Sequence, residues 1–85
     1  MDISRAEQRI LHIMAQGGRL EVVRDDNRKI EKINLFSRDG WLCPPVNAEL
    51  FRKLKRLKAI RSISGKPYQV TERGLELVRS QADNR

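Results

Sequence analysis

Residues 46–71 read VNAELFRKLKRLKAIRSISGKPYQVT, and Glu72-Arg73-Gly74 follows. Val46, Leu50, Leu54 and Leu57 recur at intervals of four, four and three, which is one face of an α-helix. Arg52, Lys55 and Arg56 fall on the opposite face by the same period. Asn47 can cap the helix start, and Pro44-Pro45 stops any earlier helix from running in. Ile60-Arg61-Ser62-Ile63 then alternates as a strand should, Gly65-Lys66-Pro67 turns, and Tyr68-Gln69-Val70 returns. Thr71 can cap a last helix that carries Leu75 and Val78 inward. Helix, two-stranded wing and Thr-x-x-Gly entering a helix form the back half of a winged-helix domain.

The same stretch holds the charge. Leu50 to Thr71 contains seven of the 18 Lys and Arg residues (Arg52, Lys53, Lys55, Arg56, Lys58, Arg61 and Lys66) and none of the 11 acids. The remaining 11 basic residues face 11 acidic ones, so the whole formal +7 sits in one quarter of the chain. Charge confined in this way predicts a docking surface for a polyanion or an acidic partner. The bland alternative is a solvated helix face. The continuation of the charge onto Arg61 and Lys66 of the wing, unbalanced by any acid, weighs against it.

Eighty-five residues predict one domain spanning 1–85, with a thin core and modest stability. Only 5% of residues are aromatic, so the core must come from Ile, Leu and Val. Cys43 is the sole cysteine, which excludes an internal disulfide and fits a reducing cytoplasm. Asp2 and Glu7 lie in a polar amino end without an apolar signal region, and no run approaches the roughly 20 apolar residues that span a bilayer. No membrane partner is therefore expected.

At the amino end, Ser4-Arg5-Ala6-Glu7 has the form of a capping box. The helix it opens should place Ala6, Ile10, Ile13 and Met14 inward, with Leu11 at the edge and Arg5, Arg9, His12 and Gln16 outward. Gly17-Gly18 ends it. Arg19 to Arg24 reads as a strand with Leu20 and Val22 inward, Asp25 to Arg28 as a turn, and Lys29 to Phe36 as a second strand. The apolar phase of the second strand shifts between Ile30 and Ile33, which predicts a bulge or twist. Ser37-Arg38-Asp39-Gly40 turns again, and Trp41-Leu42-Cys43 is expected as a short third strand. The fold class is thus α+β and winged-helix-like: three helices, a hairpin or meander between the first two, and a wing before the third. The helix that ordinarily precedes a recognition helix is missing, which weakens a reading as a DNA-binding regulator.

Other candidate sites are sparse. Arg38 and Trp41 flank a tight turn, where they could stack on a base or anchor a protein interface. Burial of Trp41 as the largest core side chain is the favoured expectation, and Tyr68 is likewise expected to pack on the helices. One His and one Cys cannot supply the four ligands of a structural zinc site. Cys43 has no legible base or orienting group, and no Gly-rich phosphate loop occurs. No catalytic residue, metal, cofactor or small-molecule substrate is expected. Gly74 is expected to permit close helix packing.

Laid out in order, the chain resembles the YjhX-type toxin family of small bacterial proteins. The features that carry the likeness run from Ser4-Arg5 with Glu7-Gln8-Arg9 and Leu11-His12, through Gly17-Gly18-Arg19, Val23-Arg24-Asp25 and Ser37-Arg38 with Gly40. They continue with Phe51 and Lys53-Leu54-Lys55, Gly65 with Pro67-Tyr68, Gly74-Leu75, Val78-Arg79 and the ending Asp83-Asn84-Arg85. The resemblance implies a toxin that binds and inhibits DNA topoisomerase I and is neutralised by an antitoxin resembling a GNAT-type acetyltransferase. It assigns no functional residue. The composition nominates Arg52, Lys53, Lys55, Arg56, Arg61 and Lys66, with Arg38 and Trp41, as the partner- or nucleic-acid-binding set. The alternatives are a winged-helix transcriptional regulator on duplex DNA and an RNA-bound accessory domain, the latter lacking interleaved aromatics.

Overall fold

The computed structural model describes residues 3–83, so Asp2 and the closing Asn84-Arg85 lie outside the described residues. Helix α1 (Arg5–Ala15) starts on the capping box: Glu7 N–H donates to the Ser4 hydroxyl at 3.2 Å, and Ser4 N–H donates to Glu7 Oε1 at 2.6 Å. Its inward face is Glu7, Ile10, Leu11 and Met14. The expected face was therefore rotated by one position: Ala6 is exposed and Glu7 is buried in its place. The carboxylate is drawn inward because it caps the helix and meets a lysine there.

Strands β1 (Arg19–Arg24) and β2 (Ile30–Phe36) pair antiparallel. Val23 faces Lys32 and Arg24 faces Ile30, so Glu31 is the extra residue of a bulge, within the interval where the apolar phase shifts. The turn between them follows from Asp25, whose carboxylate accepts from the N–H groups of Asn27 and Lys29 at 2.8 and 2.9 Å. Leu20, Ile33 and Leu35 are buried, so the base of this hairpin is core. Trp41-Leu42-Cys43 forms no strand, only a single bridge from Leu42 to Phe36. Nor is Trp41 a core residue: it is 73% exposed, and Leu42 is 64% exposed. This segment runs along the outer edge of β2, where Cys43 N–H donates to Leu35 C=O.

Helix α2 (Ala48–Arg56) is capped by Asn47, whose side chain accepts from Leu50 N–H at 2.8 Å. Val46, Phe51 and Leu54 are buried, while Leu50 and Leu57 are half-buried. The helix ends with Lys58 in the left-handed conformation (φ 59°) and Ala59 N–H bonded back to Leu54 C=O at 3.0 Å. The wing follows as β3 (Ile60–Arg61) and β4 (Gln69–Val70), antiparallel and shorter than the alternation suggested. Its turn centres on Ser64-Gly65, both at positive φ, rather than on Gly65-Lys66-Pro67. Lys66 N–H closes it onto Ile63 C=O at 3.1 Å, which leaves Ile63 at the tip 56% exposed.

Helix α3 (Glu72–Asp83) starts on Thr71, whose hydroxyl accepts from Gly74 N–H at 3.1 Å and donates to Lys58 C=O at 2.6 Å. A methyl group at Gly74 would collide with Ala59 C=O and the Val70 side chain, so glycine is what lets α3 lie against the end of α2. Leu77 is a buried apolar residue of α3, with Leu75 and Val78 half-buried. The architecture is α+β with three helices and two small antiparallel sheets, consistent with the winged-helix-like order read from the sequence. Leu20 and Tyr68 exchange both backbone hydrogen bonds, at 3.0 and 2.7 Å, and tie the hairpin to the wing.

Candidate functional site

Three elements converge on an open cleft of about 870 Å³: the end of α2, the wing, and the start of α3. Its rim carries Arg19, Lys55, Lys58, Arg61, Lys66 and Arg73, with Glu72 as the one acid. Its apolar surface comes from Ile60, Ile63, Pro67 and Val70. Thr71 stands at the junction, donating to the last turn of α2 and capping α3, so one hydroxyl fixes the two helix ends that shape the cleft.

Two of the cations are set by aromatic faces. Lys55 Nζ lies 5.4 Å from the Phe51 ring centroid and 5.8 Å from that of Tyr68. Those rings meet edge to face at 5.0 Å, which makes Tyr68 a packing residue as expected. Arg19 Cζ lies 4.8 Å from the centroid of Phe36, and its guanidinium also reaches Glu21 at 3.6 Å. Among the described residues, Lys55, Lys58, Arg61, Lys66 and Arg73 have no carboxylate within ion-pair reach.

Apart from Lys53, the nominated residues divide into three groups. Lys55, Arg61 and Lys66 share the cleft. Arg52 and Arg56 join Lys55 and Glu49 around a shallower depression on the exposed side of α2, so the two concavities meet at Lys55. Arg38 and Trp41 line neither; the stem of Arg38 lies against the turn at Gly17.

Lys53 has a different role. Its Nζ donates to Glu7 Oε1 at 3.1 Å and lies 2.9 Å from Oε2, which is held by charge alone. Burial by itself would raise the Glu7 carboxyl, but the Ser4 backbone N–H, the Lys53 ammonium and the Ser4 hydroxyl together hold it below its ordinary 4.5. This pair joins α1 to α2 and spends the charge of Lys53 inside the fold. Sequence reasoning overlooked the pair because the partners lie 46 positions apart. It also left Arg19, Lys58 and Arg73 out of the nominated set. Arg73 stood legibly beside the Thr71 cap, and Lys58 at the helix end, but nothing local connects Arg19 to the wing.

Among the described residues, no three His, Cys, Asp or Glu side chains converge to hold a metal ion, and no helix is long and apolar enough to cross a membrane. The arrangement gathers charge and apolar surface at one concavity of a small basic α+β fold.

Comparison with known proteins makes the class specific. The chain belongs to the YjhX toxin family, described as "Putative toxin of bacterial toxin-antitoxin pair", whose profile matches residues 1–85. It is 72% identical over 85 residues to a UPF0386 protein of Rhizobium etli, with both chains covered in full. Full-length relatives in Agrobacterium fabrum and Chelativorans share 66% and 59% identity. No solved structure matches the chain.

Proposed function

We propose that this protein is the toxin of a toxin–antitoxin pair and acts by binding DNA topoisomerase I and inhibiting it through the cationic cleft and the adjoining α2 ridge. The observation that carries the mode of contact is the convergence of six cations and one acid on a single concave surface. The target enzyme follows from the family resemblance, as does a GNAT-like antitoxin as the neutralising partner. Inhibition proceeds by occupancy, with no bond made or broken by this chain. The cations engage an acidic surface of the enzyme or the phosphates of DNA it holds, so affinity falls as salt rises.

The test is supercoil relaxation by purified topoisomerase I, beside direct binding to the enzyme and to bare duplex across a salt series. Inhibition at protein levels far below DNA sites, with weak binding to free duplex, is the expected result. Arg52→Glu with Arg56→Glu, and separately Lys58→Glu with Arg61→Glu, should each abolish inhibition while unfolding shifts by only about 0.5 kcal/mol or less. Unimpaired relaxation in the presence of folded protein would falsify this reading. A cationic helix beside a wing also supports a second one, a winged-helix regulator. A footprint on one promoter that survives competitor DNA would select it.

A further inference from the structure

The pairing of β1 with the wing begins and then stops. Leu20 and Tyr68 exchange two hydrogen bonds, and the next such pair along the same register would be Val22 with Lys66. It does not form, because Lys66 is already committed: its N–H closes the wing turn onto Ile63, and its carbonyl accepts from the Ser62 hydroxyl. The backbone N–H and C=O of Val22 are left unpaired by the wing. Its register partner on β2 is Ile33, whose carbonyl points away from β1 to accept from Val46 N–H. By the alternation of an antiparallel ladder, the N–H and C=O of Val22 therefore point to the open edge. Neither has a partner among the described residues.

That edge borders a notch of about 380 Å³ between Val22 and Arg24 on one side and Lys66, Pro67 and Tyr68 on the other. We propose that this notch binds an extended acidic segment of a protein partner, which adds as a strand to β1 at Val22. A donor and an acceptor side by side match a peptide backbone. A phosphate chain presents acceptors only and would leave the Val22 carbonyl unmet. Pro67 and Tyr68 provide an apolar wall for alternate side chains, and Arg24 and Lys66 select acidic ones. Glu21, the acid at the rim, is already paired with Arg19. A second copy of this chain is disfavoured by its own +7 charge. The notch shares Lys66 and Pro67 with the cationic cleft, so a strand seated in it covers part of the cleft rim. The inference stands whichever enzyme the cleft engages.

The probe is a terminally blocked peptide of about eight residues alternating glutamate and valine, added to the isotope-labelled full-length protein. Binding should slow hydrogen exchange of the Val22 amide roughly tenfold or more. The same peptide N-methylated at every second residue, and a lysine–valine version, should bind at least about tenfold more weakly. Val22→Pro removes the outward N–H at an edge position that tolerates proline, along with a side chain half-packed on the core, and should weaken peptide binding to a similar degree, roughly tenfold. Should that variant fail to fold, the N-methylated peptide gives the same answer on unaltered protein. Equal affinity of the methylated peptide, or an unchanged Val22 amide, would overturn the proposal in favour of charge alone. Protection of Val22 that rises with protein concentration in the absence of peptide would overturn it in favour of self-association.

Discussion

Lys53 and Lys55 leave α2 in different directions, one into the seam against α1 and the other over the wing. In the seam, Lys53 meets a carboxylate that is completely buried, and its charge holds two helices together. At the cleft, Lys55 lies over two aromatic rings with no acid in reach among the described residues, beside cations from β1, the wing and the start of α3. Residue type and spacing on the helix are nearly the same, and surroundings alone separate a structural charge from one available to a partner. A count of basic residues therefore overstates the binding surface wherever a distant acid is folded against it.

Leu54, between Lys53 and Lys55 on α2, is buried at 0% exposure, and its loss should erase the distinction. Leu54→Ala is expected to cost about 2–5 kcal/mol by denaturant unfolding, with seam and cleft lost together. A variant that unfolds earlier yet inhibits fully at equal folded fraction would show that the cleft is organised independently of the core.

Lys53→Met separates the regions. It leaves the Glu7 carboxylate buried without its counterion and should cost about 1–3 kcal/mol, while partner affinity of the folded fraction stays unchanged. The pH dependence follows the same pair. Because the folded-state pKa of Glu7 lies below its ordinary 4.5, its contribution is complete above that value and is lost as pH falls through the folded pKa. Stability should therefore decline on the acid side of about pH 4.5, and Glu7→Gln should flatten that limb of the profile. An acid limb unaltered in Glu7→Gln would assign the loss to other carboxylates.

Lys58→Gly gives the smallest effect and opposite signs in the two properties. Lys58 holds a left-handed conformation at the end of α2 that glycine adopts without steric cost. Replacement should stabilise the fold by about 0.5–1 kcal/mol. It should also weaken binding to a polyanionic partner and lower the slope of log affinity against log salt by about one. A stabilised variant with undiminished affinity would remove Lys58 from the interface.

Much of the local structure was legible in the chain. The Ser4 and Asn47 caps depend on contacts between near neighbours, which a sequence displays directly, and the bulge in β2 and the glycine that admits α3 were marked by the residue types at those positions. Where the sequence misled, the cause was distance or competition. Trp41 was expected inside because of its size, but its segment runs along the outer edge of β2 and leaves the ring exposed. The wing was read longer than it is because its turn engages the Ile63 carbonyl with Lys66 N–H, and Pro67, which would face Ile63 in the same register, has no N–H to donate.

Composition and periodicity by themselves determined that this protein would be a small α+β module with its net charge concentrated in one helix and wing. Only the tertiary structure decided which of those charges remain available. Burial of Glu7 claims Lys53, while the junction at Thr71 brings Arg73, and the Leu20–Tyr68 pairing brings Arg19, to a surface with residues distant in the chain. The physical reason is that electrostatic availability depends on separation in space and on desolvation, and neither is encoded in the position of a residue along the chain.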